Sequence, residues 1–260
     1  MTDKCAWIIN FGQNDNAAKA AAMQLAQYGL TPKGQTWATG RADEWLPSAH
    51  EAAQQNTAVV ILTGPAAALA DPAVRRDLAL FRLVLQTQRR STVNGLSLLA
   101  GDHETPAQNS RLGLLDDWLE PADARWAARA VARAHAPVAP KWPVRLGLHA
   151  QERIGNWLEI HPTPDETASG ALVGVSGNEA SISFHAVGAA GALPERSVNE
   201  YELQGITFEV GERAFTAWGL QNQIATDQSY YVRIEGKPDV LAIGDLPGGQ
   251  LEDVTLISIA

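Results

Sequence analysis

A change of texture at Ala136-Pro137-Val138-Ala139-Pro140-Lys141-Trp142-Pro143 constrains the fold more than any other feature of this chain. Three prolines within seven residues favour a stiff, extended connector over a helix or a central strand. Upstream, apolar runs alternate with alanine-rich stretches. Downstream, short segments alternate polar and apolar residues between Gly, Pro, Asn and Asp. Two textures predict two domains, residues 1–136 and 144–260, with 137–143 as the linker. At 260 residues the chain is long enough for both to bury a core.

The first half reads as alternating strands and helices. Strands are expected near 5–11, 33–38, 57–63 and 95–100, and helices over 15–28, 42–55, 72–90 and 121–135, the last begun by Pro121. Residues 112–119 fit neither pattern cleanly. Such alternation implies a parallel sheet with helices on both faces, and ligands of such sheets bind at the carboxyl ends of the strands. Gly12, Asn14, Asp15 and Thr63 are therefore candidate ligand-binding positions. The second half reads as eight or nine short strands, a sandwich or barrel, with Gly177-Asn178 as a hairpin turn.

Charge and cysteine content exclude several classes of function. Residues 1–136 carry 13 basic and 13 acidic side chains, whereas 137–260 carry 7 and 16, so the whole net charge of −9 lies in the second half. That surface would repel a phosphate backbone or anionic lipid, so neither nucleic acid nor membrane is an expected partner. The apolar stretch near the start is too short for a secretory signal, and a cytoplasmic location is expected. Cys5 is the only cysteine, in an apolar segment, and reads as a core residue. The six histidines lack the short spacings of local metal motifs, so no metal is implied.

Asp71-Pro72-Ala73-Val74-Arg75-Arg76-Asp77-Leu78 opens the third helix. Asp71 suits the N-cap and Pro72 the first helical position, where no amide donor is missed. Val74, Leu78, Phe81 and Leu85 form an apolar stripe, widened by Leu80 and Val84, and Asp77 falls within that arc. Three explanations of Asp77 stand open. It lines a cleft at the carboxyl end of the sheet, it meets a buried arginine or backbone amide, or the helix phase leaves it exposed. Arg75, Arg76, Arg82, Arg89 and Arg90 fall mainly on the opposite side and are expected to be solvated.

Other chemistries find little support. Gly174-Val175-Ser176-Gly177-Asn178 lacks the last glycine of a nucleophile elbow. There is no Gly-x-x-x-x-Gly-Lys phosphate loop, and Gly12-Gln13-Asn14 falls short of a dinucleotide fingerprint. A phosphoacceptor receiver would have an aspartate where Thr63 stands. Trp118, Trp157 and Trp218 read as packing residues more simply than as a ligand groove.

Taken together, the first 136 residues resemble a Toll/interleukin-1 receptor (TIR) domain, which has a flavodoxin-like fold. The resemblance rests on Ala6-Trp7-Ile8-Ile9-Asn10-Phe11 followed by Gly12-Gln13-Asn14-Asp15, on Gly40 followed by Trp45 and an amphipathic helix, and on Arg125-Trp126. Enzymatic members carry Ser-x-Trp-x-x-x-Glu-Leu, whose glutamate is needed to cleave nicotinamide from NAD. Here Asp71, Ala73, Asp77 and Leu78 occupy those positions, so the register fits while all three informative side chains differ. An aspartate retracts the carboxylate by about 1.5 Å, one C–C bond, and a misplacement of about 1 Å can cost ~100-fold in rate.

The resemblance implies self-association surfaces at the Gly40 loop and neighbouring helices, with Gly40 and Trp45 added to the candidate ligand-binding positions. It makes Asp77 the candidate catalytic carboxylate and NAD a possible substrate or ligand, with no resident cofactor. The leading expectation is a signalling or scaffold protein acting through protein association or self-association, its catalysis weak or absent, with a β-rich domain that binds a partner or ligand. The alternatives are an NAD-cleaving effector of a bacterial defence-type pathway and a non-enzymatic small-ligand binder.

Overall fold

The computed structural model describes residues 3–37, 45–101, 112–139, 144–151, 154–162, 167–246 and 254–259. The chain divides into two compact units, Met1–Asn109 with Leu114–Pro140, and Ser110–Gly113 with Lys141–Ala260. No helix among the described residues is long and apolar enough to cross a membrane.

In the first unit β1 (Cys5–Asn10), α1 (Asn16–Gln27), β2 (Thr31–Thr36), α2 (Trp45–Gln54) and β3 (Thr57–Pro65) follow one another. A 3-10 turn, Ala66–Ala70, leads into α3 (Pro72–Arg89) and β4 (Asn94–Ala100). The five-stranded parallel sheet runs in the order β2-β1-β3-β4-β6, a flavodoxin-like arrangement. β1 and β3 lie inside this order, which is why their sequences are nearly continuous apolar runs. Ile8, Leu25, Val59, Ile61, Leu96, Trp126 and Ala130 share one core cluster.

The ambiguous stretch resolves into three short elements, β5 (Leu112–Gly113), α4 (Leu114–Trp118) and β6 (Leu119–Pro121). Pro121 ends β6 opposite Ser97 and does not start a helix; α5 (Trp126–His135) begins five residues later. An edge strand tolerates the proline because its outer side has no ladder to feed. β5 pairs in parallel with β13 of the second unit, at Ile257 and Ser258, so Leu112 and Gly113 do not belong with residues 1–136 as the sequence implied.

The second unit continues with β7 (Val144–Gln151), β8 (Gly155–Pro162), β9 (Ala168–Ala189), β10 (Leu203–Val210), β11 (Arg213–Ile224), β12 (Gln228–Gly244) and β13 (Val254–Ser258). β9 and β12 run unbroken over 22 and 17 residues, so there are fewer and longer strands than the eight or nine short ones expected. Gly177-Asn178 is not a hairpin turn. β9 runs through it, paired antiparallel with β12, and the register shifts around Arg233, Glu235 and Pro238. Gly177 (φ 149°) and Gly236 (φ 72°) sit at this bulged bend. A Cβ on Gly236 would lie 2.1 Å from the Glu179 carbonyl oxygen, so only glycine fits.

The bend lets both long strands serve two halves. β7 and β8 continue the sheet beside the first part of β12, whereas β11, β10 and β13 flank the first part of β9 and the last part of β12. The halves face one another: Trp218 of β11 meets His185 of β9 with ring centroids 5.1 Å apart, and the Tyr230 hydroxyl lies 3.4 Å from the Trp218 carbonyl oxygen.

Candidate functional site

At the carboxyl edge of the parallel sheet, Asn10 ends β1 and is 2 % exposed. Its Oδ1 accepts from the Gly12 amide at 3.0 Å and from the Thr63 hydroxyl at 3.3 Å. Its Nδ2 lies 3.1 Å from the Asn14 carbonyl and 3.3 Å from both the Gly12 carbonyl and the Asp15 carboxylate. Four candidate residues, Gly12, Asn14, Asp15 and Thr63, are thus gathered around a fifth that the sequence reading passed over. A polar side chain ending an otherwise apolar strand was the available signal, since a buried amide needs all its partners.

In flavodoxin-like sheets the ligand crevice opens between the ends of β1 and β3. Here the described residues of the two loops come together at that point. The Phe11 amide donates to the Thr63 carbonyl at 2.8 Å, and a Cβ on Gly64 (φ 114°) would lie 2.7 Å from the Gly12 nitrogen. The two loops touch because both carry glycine at the point of approach. Beside them Trp37 packs against Phe11 and Phe81, at centroid distances of 5.9 and 6.0 Å. Trp37 was also unforeseen as a member of this edge.

α3 begins as the sequence implied. The Asp71 carboxylate accepts from the Ala73 amide at 2.8 Å, and Pro72 occupies the first turn. Asp77 stands one turn before Phe81 with its side chain 25 % exposed, and its Oδ1 lies 3.7 Å from the Arg76 Nε. It is neither sealed in the core nor fully solvated. Trp45 is buried at the start of α2 as a core residue. Gly40 lies outside the described residues.

The expectation of a solvated arginine face on α3 is overturned for Arg75 and Arg82. Both are buried, because the short α4 lays Asp116 and Asp117 over them. Arg75 Nη2 meets Asp116 at 3.3 Å and Arg82 Nη2 meets Asp117 at 3.5 Å. Arg82 also donates to the Leu114 carbonyl and lies over the Trp118 ring, 5.8 Å from its centroid. Burial lowers its pKa to about 10 against the opposing pull of Asp117.

A groove of about 410 Å³ runs between α1 and the edge strand β2. Ala18, Ala22 and Pro32 form its apolar walls, and Asp15, Lys19 and Lys33 line it with charge. Lys19 lies 3.9 Å from Asp15, and Lys33 donates to Gln55.

The second unit holds a polar cluster that the sequence reading missed. Alternation along β8 puts Trp157, Glu159 and His161 on one face. Glu159 accepts from the Ser229 hydroxyl and the Gly191 amide, each at 2.7 Å, and meets His149 Nε2 at 2.7 Å. Burial raises its pKa, but bonds from His149, Ser229 and Gly191 outweigh it and hold the carboxyl at about 2. His161 Nδ1 faces the Gln228 carbonyl at 2.9 Å, so that nitrogen carries the proton; burial lowers the pKa of this ring. The Tyr231 hydroxyl donates to the Ala189 carbonyl at 2.6 Å and accepts from the Ala192 amide at 3.3 Å. Every member is occupied, and Ser229 is fully buried, so the cluster clamps the segment after β9 and exposes no nucleophile.

The tryptophans divide. Trp118 is buried and donates to the Val93 carbonyl at 2.7 Å, whereas Trp157 is part-exposed against Phe184, with centroids 5.6 Å apart. Cys5 is buried, and burial raises its thiol pKa. Among the described residues no three His, Cys, Asp or Glu side chains converge as metal ligands.

No known protein-family description matches the chain, and no curated protein matches it in sequence.

Proposed function

We propose that the protein works by association. In this reading the flavodoxin-like unit is a TIR-like assembly module with little or no catalysis, and the acidic β-rich unit contributes recognition. The observation that carries the reading is the approach of the loops after β1 and β3, where Phe11 donates to Thr63 and Gly12 meets Gly64. Among the described residues, the backbone of the two loops meets at the point where this fold commonly receives a ligand. The state of Asp77 agrees with this. Its carboxylate is part-exposed and beside Arg76, and Ala73 supplies no wall where an active relative of the resembled family would carry tryptophan.

The second reading, an NAD-cleaving effector, draws on the position of Asp77. It lies near the start of α3, at the carboxyl edge of the sheet, one turn from the Phe81 ring that Trp37 covers. An anion there would stabilise an oxocarbenium-like centre. One experiment separates the two: concentrated protein is incubated with NAD and nicotinamide release is followed for wild type, Asp77→Ala and Asp77→Glu. Association without catalysis predicts no release from wild type. Release from wild type that disappears in the alanine variant would overturn it.

A further inference from the structure

The segment between β9 and β10 presents two large apolar side chains to solvent, Val198 at 76 % and Tyr201 at 77 % exposure. Exposure of this kind is ordinary on a slack loop, but this one is tied down. Asn222, itself buried, donates to the Val198 carbonyl at 2.8 Å and accepts from the Glu200 amide at 2.8 Å. The Gln221 amide donates to the Glu200 carbonyl at 2.9 Å, and Asn199 donates to the His185 carbonyl at 3.2 Å. Tyr201 is held with φ 48°, a conformation that a bulky residue rarely adopts. A fixed backbone thus holds a tyrosine and a valine outward, and a rigid aromatic is the kind of side chain that anchors protein interfaces. Glu195 and Glu200 belong to the same segment, with Arg196 its single cation, while Glu202 meets His185 at 3.4 Å and accepts from Asn199.

A complementary surface exists on the other unit. The α1/β2 groove has apolar walls, two lysines against one aspartate, and a volume of about 410 Å³. That lies within the roughly 300–1,000 Å³ typical of binding pockets. Met23, four residues beyond Lys19 on the same face of α1, is 65 % exposed and extends the apolar ground.

We infer that the occupant of the groove is the Val198–Tyr201 knob of a second copy of this chain. The apolar side chains of the knob would meet the Ala18, Ala22 and Pro32 walls, and Glu195 and Glu200 of its segment would meet Lys19 and Lys33 along the groove. Two different patches are used, so the contact is heterologous and propagates from copy to copy into a ring or a filament. This rests on the association reading proposed above and names its surfaces.

The test measures light scattering of the full chain against concentration. Tyr201→Asn removes the ring while keeping a residue that tolerates positive φ, so the loop is retained. Wild type is expected to grow beyond a dimer, and Tyr201→Asn to associate about ten-fold or more weakly. Lys19→Glu with Lys33→Glu is expected to remain monomeric, and adding Glu195→Lys with Glu200→Lys to restore growth. Tyr201→Asn chains mixed with the double lysine variant should stop at a dimer, because each copy then offers one working surface. Growth of all the variants as in wild type would overturn this interface while leaving association intact. A wild type monomeric at every concentration would overturn association itself.

Discussion

Glu159 of β8 accepts the amide of Gly191 at 2.7 Å, so one buried carboxylate fastens the chain leaving β9 onto the face of the sheet. The consequence is a defined acid sensitivity. The folded pKa is depressed from 4.5 to about 2, so the group stabilises the fold above pH ~4.5, and this contribution is lost as pH falls toward 2. A shift of that size corresponds to about 3 kcal/mol. Thermal melts of wild type and Glu159→Gln between pH 7 and 2.5 are expected to differ most at neutral pH and to converge at the acid end. A gap that stays constant with pH would contradict the assignment.

Arg82 and Asp117 are a buried pair, and removing one partner strands the other. Arg82→Ala and Asp117→Ala are each expected to lose about 3–5 kcal/mol in urea unfolding, and the double replacement Arg82→Met with Asp117→Leu much less. Equal losses for single and double variants would show that packing of the arginine stem, not charge, dominates.

Asp71 and Asp77 lie six residues apart in the same helix but have different work. Asp71→Ala removes a cap bonded to the Ala73 amide and is expected to cost about 1 kcal/mol. Asp77→Ala, at a part-exposed site, should stay within about 0.5 kcal/mol of wild type in the same chemical denaturation. A larger loss at Asp77 would give it a structural role.

At the bend of the long strands, Gly236→Ala forces a Cβ against the Glu179 carbonyl, whereas Gly211→Ala, also at positive φ, meets no atom within 4 Å. The first is expected to destabilise by several kcal/mol more than the second, read as a difference in midpoint. Similar losses would mean that positive φ alone, and not the close approach, governs the position.

These contrasts show what the sequence carries and where it stops. The Asp71 cap and the Pro72 start were legible because a cap is made within three residues. The apolar runs of β1 and β3 were legible because burial on both faces leaves no alternation. Arg82 was misread because the acid that covers it comes from α4, far along the chain, and nothing local distinguishes a covered arginine from a solvated one. Gly177-Asn178 looked like a turn since a bulge and a hairpin ask for the same residues; only pairing with Pro238 separates them. Of the candidate positions, Gly12, Asn14, Asp15 and Thr63 were legible as neighbours by their place at strand ends. Asn10, which joins them, was hidden inside the motif that it terminates.

The two-residue strand Leu112–Gly113 completes the far side of a sheet whose other members all come later in the chain. The second unit is therefore not one continuous stretch of sequence, and no single break in the polypeptide yields both units whole. A piece starting at the proline cluster would leave Ile257 and Ser258 with an unsatisfied strand edge, the kind that seeks partners among neighbouring molecules. Exchange of the acidic unit between proteins by simple end-to-end joining would carry the same defect.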